Sequence, residues 1–332
     1  MKAALVVLSL VSALTACGSG DAGNRAAPNG GPVEGFPVTI ENCGRTLTFD
    51  APPTRVVTGY VPALETLIAI GAQDAVIGRA RFDDQGEGEG FLPGHEEIYD
   101  AIPEISETGD LPTKEEMLAL GADLVISSGN STYDPANGGA TVEELQASGT
   151  QVFQTGGYCS AETVNEYQLE DSIEDIRDLG EIFGVQEEAE SVAAELETLL
   201  ADVDERVGDL EPIRVIAADP VDGVFSVLGK GIGTTLIERA GGVNIFADAD
   251  FYAEVNVEEV IAADAQAYAV LDYLPTTTDE RITAIQAAAP DSAGVREELF
   301  IVVPSPVVHP GYRTILFVAE MAQALHPEAF DA

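Results

Sequence analysis

The sequence predicts an α/β fold: two lobes with parallel-sheet cores, joined by a single long helix, with a ligand cleft between the lobes. Three observations predict it. Short apolar, β-branched runs alternate with helical stretches over 55–153 and again over 214–325, the pattern of parallel strands with helical crossovers. A unit recurs: Lys114-Glu115-Glu116-Met117-Leu118-Ala119-Leu120 leads into Leu124-Val125-Ile126, and Val257-Glu258-Glu259-Val260-Ile261-Ala262-Ala263 leads into Tyr268-Ala269-Val270-Leu271. Between these halves, 162–206 keeps helical spacing throughout. With 332 residues, the chain is long enough to bury two cores.

From the N-terminus, Lys2 precedes an apolar run from Ala3 to Leu14. It is too short to span a bilayer and fits the apolar region of a signal peptide, 1–16. Leu14-Thr15-Ala16-Cys17 is similar to the bacterial lipobox, which implies cleavage before Cys17 and a diacylglycerol on its thiol. The alternative is an ordinary secretory signal that contains a Cys. Residues 17–36, rich in Gly, Asn, Pro and Ala, read as a flexible tether. With Cys17 lipidated, Cys43 and Cys159 remain, and an exported pair is expected to form a disulfide. Two free thiols are the alternative.

The first lobe, 37–161, opens with a hairpin, Val38–Asn42 and Thr46–Phe49, turning at Cys43-Gly44-Arg45. A buried strand at Arg55–Thr58 leads to a helix that Pro62 starts and Gly71 ends. The strand Ala75–Gly78, the helix 113–120, the strand 123–127, the helix 141–147 and the strand Gln151–Phe153 complete it. In the connecting helix, 162–206, Ile173, Ile176, Leu179, Ile182 and Phe183 keep one apolar face, and Val192, Leu196, Leu199 and Val203 continue it. Straight and unbroken, it would reach ~65 Å, but Gly180 and Gly184 predict a bend. The second lobe, 207–332, restarts with Arg214-Val215-Ile216, echoing Arg55-Val56-Val57. It continues through a hairpin-like Val224–Leu228, a helix through Leu236-Ile237, the repeated unit, the strand Phe300–Val303 and a last helix over 312–325.

Charge excludes one class of partner. Fifty-eight acidic residues against 15 basic ones give a net charge of −43, so nucleic acid is no partner by default. Solubility is the first reading of such a surface, and a role toward cationic ligands is the lesser one. Gly229-Lys230-Gly231-Ile232-Gly233-Thr234-Thr235 fits neither Gly-rich phosphate-binding template. His95, His309 and His326 lie far apart in sequence and do not form a metal-binding spacing. No nucleophile-elbow or zinc-protease motif is present, so no enzymatic activity and no catalytic residue is expected.

The repeated glutamates divide into two kinds. Thr113-Lys-Glu-Glu116 fits a capping box, and Asn256-Val-Glu-Glu259 is its analogue. Glu116 and Glu259 are therefore expected to cap helices. Glu115 and Glu258 fall one position earlier, where the helix dipole favours them by roughly 0.3–1 kcal/mol. They can equally be matched carboxylates offered to Arg residues of a two-fold partner.

The lipobox, Arg55-Val-Val with Ala63-Leu-Glu-Thr-Leu-Ile-Ala-Ile-Gly71, Leu118-Ala-Leu-Gly-Ala-Asp-Leu-Val-Ile126 and Ile237-Glu-Arg-Ala-Gly-Gly-Val-Asn-Ile-Phe246 together resemble the helical-backbone substrate-binding proteins. That family serves ABC importers of ferric siderophores, haem and vitamin B12. The resemblance covers about 37–328. It implies two α/β lobes joined by a long helix, little hinge motion, a monomer anchored by lipid on the extracytoplasmic face of the membrane, and an ABC permease dimer with its ATPase as partner. It places Glu115 and Glu258 at the permease-docking positions. A small-molecule metal chelate is the implied ligand, a ferric siderophore first, with cobalamin or haem as alternatives. The chelate brings its own iron, so no cofactor is expected.

Ligands of such folds meet loops at strand C-terminal ends. Tyr60, Arg81, Phe82, Tyr158, Tyr252 and Arg313 are the leading candidates, within a wider set that includes Arg79, Ser128, Asn130, Tyr133, Ser160, Phe225, Lys230, Tyr273, His309 and Tyr312. Phe82 and Tyr252 align with aromatic cleft positions of the vitamin B12 binders that the chain resembles. Aromatics supply contact area, and Arg or Tyr supplies donors to an oxygen-rich ligand.

Overall fold

A computed structural model describes residues 33–80, 92–106, 111–129, 131–221, 223–273 and 276–330. The expected signal peptide, the lipidation site Cys17, most of the tether, and Arg81, Phe82 and Asn130 lie outside the described residues.

Strands β1 (Val38–Asn42) and β2 (Arg45–Phe49) form the expected antiparallel hairpin. Alternation buries Val38, Ile40, Leu47 and Phe49 on one face. The first lobe continues as β3 (Val56–Thr58), α1 (Val61–Ala69), β4 (Val76–Ala80), α2 (Glu96–Ala101), β5 (Glu104–Ser106), α3 (Lys114–Leu120), β6 (Leu124–Ser127), α4 (Val142–Ala147) and β7 (Gln151–Gln154). Its sheet has the order β5-β4-β3-β6-β7 and is parallel throughout.

Two helices link the lobes, α5 (Leu169–Phe183) and the 22-residue α6 (Gln186–Val207). The expected bend is at Gly184, φ +70°, while Gly180 stays within α5. Helix α5 packs against β1 and the turn after β7 on one side and against the second lobe on the other, and α6 packs along α5.

The second lobe comprises β8 (Ile213–Val221), β9 (Val224–Leu228), α7 (Ile232–Arg239), β10 (Gly242–Asn244), β11 (Tyr252–Val255), α8 (Val257–Ala263), β12 (Ala267–Asp272), α9 (Thr278–Ala288), α10 (Ala293–Arg296), β13 (Phe300–Pro304) and α11 (Tyr312–Leu325). Strands β10, β8, β12 and β13 are parallel, and β9 and β11 add antiparallel pairs at one edge.

One apolar core runs through both lobes. It joins Leu47, Leu67 and Phe153 of the first lobe to Ile176 and Leu196 of the linking helices and to Leu236, Ile301 and Val318 of the second. Two smaller cores lie apart from it, one in each lobe, around Val125 and Val270. A continuous core makes the lobes parts of one packed body, because separating them would expose apolar surface at ~25 cal/mol per Å².

The repeated unit is structurally equivalent in its two copies. The Arg55 guanidinium donates to the carbonyls of Leu120 and Gly121 at the end of α3, at 2.7 and 3.1 Å, and the Arg55 backbone N–H donates to the Asp123 carboxylate at 3.1 Å. Arg214 donates to the Ala263 and Asp264 carbonyls at the end of α8, and its backbone N–H donates to Gln266 Oε1 at 2.9 Å. Both helices stop on a left-handed residue, Gly121 at φ +58° and Asp264 at φ +46°.

Candidate ligand cleft

Loops at the C-terminal ends of β3, β6, β7 and β13, together with the start of the linking segment and the entry to β11, surround a cavity of about 400 Å³. Its wall is made by Tyr60, Ser128, Gly129, Tyr158, Ala161, Val164, Asn165, Asp250, Phe251, Tyr252 and His309. The volume lies within the range of small-molecule sites. Parallel strands put their loops at one end of each sheet, which is why residues so far apart in sequence meet here.

The floor joins the lobes. The Tyr60 ring, from the first lobe, stacks on His309, from the second, with centroids 4.2 Å apart and planes at 25°. Ser128 Oγ lies 3.3 Å from His309 Nδ1. Burial lowers the His309 pKa to about 4, so the imidazole is neutral at physiological pH. Tyr60 has φ +37°, a strained backbone for a non-glycine residue that the surrounding packing must hold.

Tyr158 packs edge-on against Tyr167 and Phe251. Its hydroxyl is buried with no hydrogen-bond partner among the described residues, and burial drives its pKa well above the ordinary tyrosine value. The adjacent Cys159 is bonded to Cys43, with Cα atoms 5.4 Å apart. The disulfide thus ties the hairpin to the cleft wall. Asn165 Oδ1 accepts from the Phe251 N–H at 2.6 Å and fixes the linking segment to the second lobe.

Tyr252 belongs to a polar cluster. The Asp219 carboxylate accepts from the hydroxyls of Tyr252 and Tyr273 through one oxygen and from Arg281 Nε, at 2.7 Å, through the other. Asp219 and Arg281 are 1% and 0% exposed, whereas Tyr252 is 47% exposed. Desolvation, followed by the Asp219 carboxylate, raises the Tyr252 pKa and keeps the hydroxyl protonated.

Of the leading candidates, Tyr60, Tyr158 and Tyr252 line the cavity, and Arg81 and Phe82 lie outside the described residues. Arg313 is placed elsewhere: it is buried on α11 and grips Glu65 of α1. A cation this buried has to be paired, and its acid partner occupies the donors expected for a ligand. Ser128 and His309 of the wider set join the cleft, while Tyr133 and Phe225 belong to the smaller cores. Asn165, Asp250 and Phe251 line the cavity without having been expected. Asn165 read as part of a connecting helix, and Phe251 was hidden beside the more conspicuous Tyr252.

The glutamates behave as two kinds. The Glu116 carboxylate accepts from the Thr113 N–H at 3.1 Å, and Glu259 accepts from the Asn256 N–H at 3.0 Å. The same box also opens α4, through Thr141 and Glu144, and α9, through Thr277 and Glu280. Capping is thus a general device of this chain rather than a mark of the repeat. Glu115 and Glu258 are exposed. Because α3 and α8 end at the starts of the strands, near Arg55 and Arg214, their N-termini point toward the end that carries the cleft.

No helix among the described residues is long and apolar enough to cross a membrane, and none of their His, Cys, Asp and Glu residues cluster as a metal site.

Residues 56–287 match the family model described as periplasmic binding protein. A cobalamin-binding protein of Halobacterium salinarum is 26% identical over 302 residues, 88% of this chain and 74% of that protein. The structure of a periplasmic binding protein from Veillonella parvula superimposes with a TM-score of 0.74 at 22% identity, covering 87% of this chain and 97% of the other. The structure of an ABC-type Fe3+-hydroxamate transport system from Saccharomonospora viridis superimposes with a TM-score of 0.70 at 26% identity, covering 90% and 100%.

Proposed function

We infer that this chain, which belongs to the periplasmic binding protein family, captures a ferric siderophore outside the cytoplasm and delivers it to an ABC permease. The observation that carries this reading is the cleft itself: an aromatic-walled cavity at the meeting of two lobes that share the repeated helix–strand unit, each with one exposed glutamate at the same helical position on the cleft-bearing end. Glu115 and Glu258 are proposed to dock on arginines of the two permease subunits, which suit carboxylates through paired hydrogen bonds. The continuous core supports a receptor that recognises its ligand with little hinge motion. Cys17 is proposed as the lipid anchor that holds the receptor at the membrane. The similarity to the Fe3+-hydroxamate system favours an iron chelate.

Cobalamin is the second reading, favoured by the similarity to the H. salinarum cobalamin-binding protein across 88% of the chain. Mass spectrometry of ligand co-purified with the native protein, together with tyrosine-fluorescence titration against ferric siderophores, haem and cobalamin, tests both. A chelate that binds saturably at one site supports the receptor reading. Absence of any response across the whole panel sinks it.

A further inference from the structure

We infer that the cleft selects neutral or cationic chelates bearing N–H or O–H donors, and that Tyr252 reads those donors. This rests on the receptor reading above and narrows its ligand class.

The first argument is the direction of the tyrosine protons. Asp219 forms a buried ion pair with Arg281, whose Nε donates to it at 2.7 Å. Arg281 is fixed in turn by the carbonyls of Tyr273 and Thr276 and lies 4.6 Å from the Tyr273 ring centroid. An ionised carboxylate only accepts. The Tyr252 and Tyr273 hydroxyls must therefore both donate to Asp219. A hydroxyl carries one proton, so the Tyr252 oxygen, which Ser226 and the Tyr273 hydroxyl also approach, can offer the cleft it lines a lone pair but no proton. Amide N–H and hydroxyl groups complement it, whereas carboxylate and phenolate oxygens meet it lone pair to lone pair.

The second argument is charge. Among the described residues no Lys or Arg lines the cavity, and Asp250 is the one acidic side chain there. Lys230 lies 3.5 Å from that same Asp250. His309 is neutral there. Elsewhere Arg79, Arg239, Arg281 and Arg313 are engaged by Glu104, Glu170, Asp219 and Glu65. With a net charge of −43 on the chain, the summed field attracts cations and repels anions.

Isothermal titration of the full-length chain tests this with five probes: ferrioxamine B, cationic; ferrichrome and cyanocobalamin, both neutral; haemin and ferric enterobactin, both anionic. At least one neutral or cationic probe should bind about tenfold or more tightly than either anionic one, a difference that one well-placed hydrogen bond to a charged or oriented partner can supply. An anionic probe that binds best overturns this inference and leaves the receptor reading intact. No binding by any probe overturns both. Tyr252→Phe should weaken the preferred probe by about tenfold, the loss of one acceptor, without changing haemin or enterobactin binding. Unchanged affinity of the preferred probe, with the fold verified by circular dichroism, removes Tyr252 from its role. Asp250→Lys should raise affinity for the anionic probes, and no gain overturns the charge argument.

Discussion

Arg313 of α11 and Glu65 of α1 form a two-point ion pair across the boundary between the lobes. Arg313 Nε donates to one Glu65 oxygen at 2.9 Å and a second guanidinium nitrogen donates to the other. Glu65 is 0% and Arg313 6% exposed. Removing one partner strands a buried charge, at a cost of about 3–5 kcal/mol. Glu65→Ala or Arg313→Ala should therefore lower the urea midpoint sharply, while Glu65→Leu with Arg313→Met should recover most of the loss. A single-variant cost below ~1 kcal/mol, the scale of an exposed pair, would show that the pair does not join the lobes.

The Cys43–Cys159 disulfide closes a sequence separation of 116 residues. Cross-links that restrict the unfolded chain this much stabilise by about 2–5 kcal/mol. The double variant Cys43→Ser, Cys159→Ser should show that loss in urea denaturation. Because Cys159 follows the cleft residue Tyr158, ligand affinity should fall as well, measured by titration at a temperature where the variant is folded.

His309 gives stability a pH dependence. Its folded pKa, lowered by burial to about 4, lies below the unfolded value of 6.5. The unfolded chain therefore binds more protons between these values, so this contribution to stability is complete above pH 6.5 and is lost as pH falls to about 4. Asp178 acts in the opposite sense. Burial, then Glu174 and Glu181, raises its pKa to about 6, so its contribution is lost as pH rises through that value. Subtracting the melting curve of His309→Gln from that of the native protein isolates the first effect. The native protein should lose its advantage between pH 6.5 and 4, and a difference that stays flat with pH would contradict a buried neutral imidazole.

The two kinds of glutamate should separate by measurement. Glu116→Ala and Glu259→Ala each remove a cap and should cost roughly 0.5–2 kcal/mol in denaturation. Glu115→Lys with Glu258→Lys should change stability by less than that and leave chelate affinity intact. Uptake of labelled chelate by cells should be abolished. Retained uptake would exclude these glutamates as the docking contacts.

Much of the fold was legible because its signals are local. The hairpin at Val38–Phe49, the capping boxes at Thr113 and Asn256, and the helix 312–325 each follow from periodicity and cap chemistry within a few residues. The echo of Arg55-Val-Val in Arg214-Val-Ile marked an equivalence that both arginines express, by holding the carbonyls at the ends of α3 and α8. Strands β5, β10 and β11 were missed, being only three or four residues long and carrying too little pattern to be read.

The cleft was legible in part. Tyr60, Tyr158 and Tyr252 follow from the rule that loops at strand ends meet ligand, and they do line the cavity. The sequence by itself determined the alternation of strands and helices, the helix caps, the duplicated unit and the resemblance to a family, because each depends on neighbours along the chain. Tertiary structure alone decided which arginines serve the core. Arg313 and Arg281 became buried partners of Glu65 and Asp219, from 248 and 62 positions away. A buried charge must find its counter-charge wherever the fold supplies one, and periodicity carries no record of that choice.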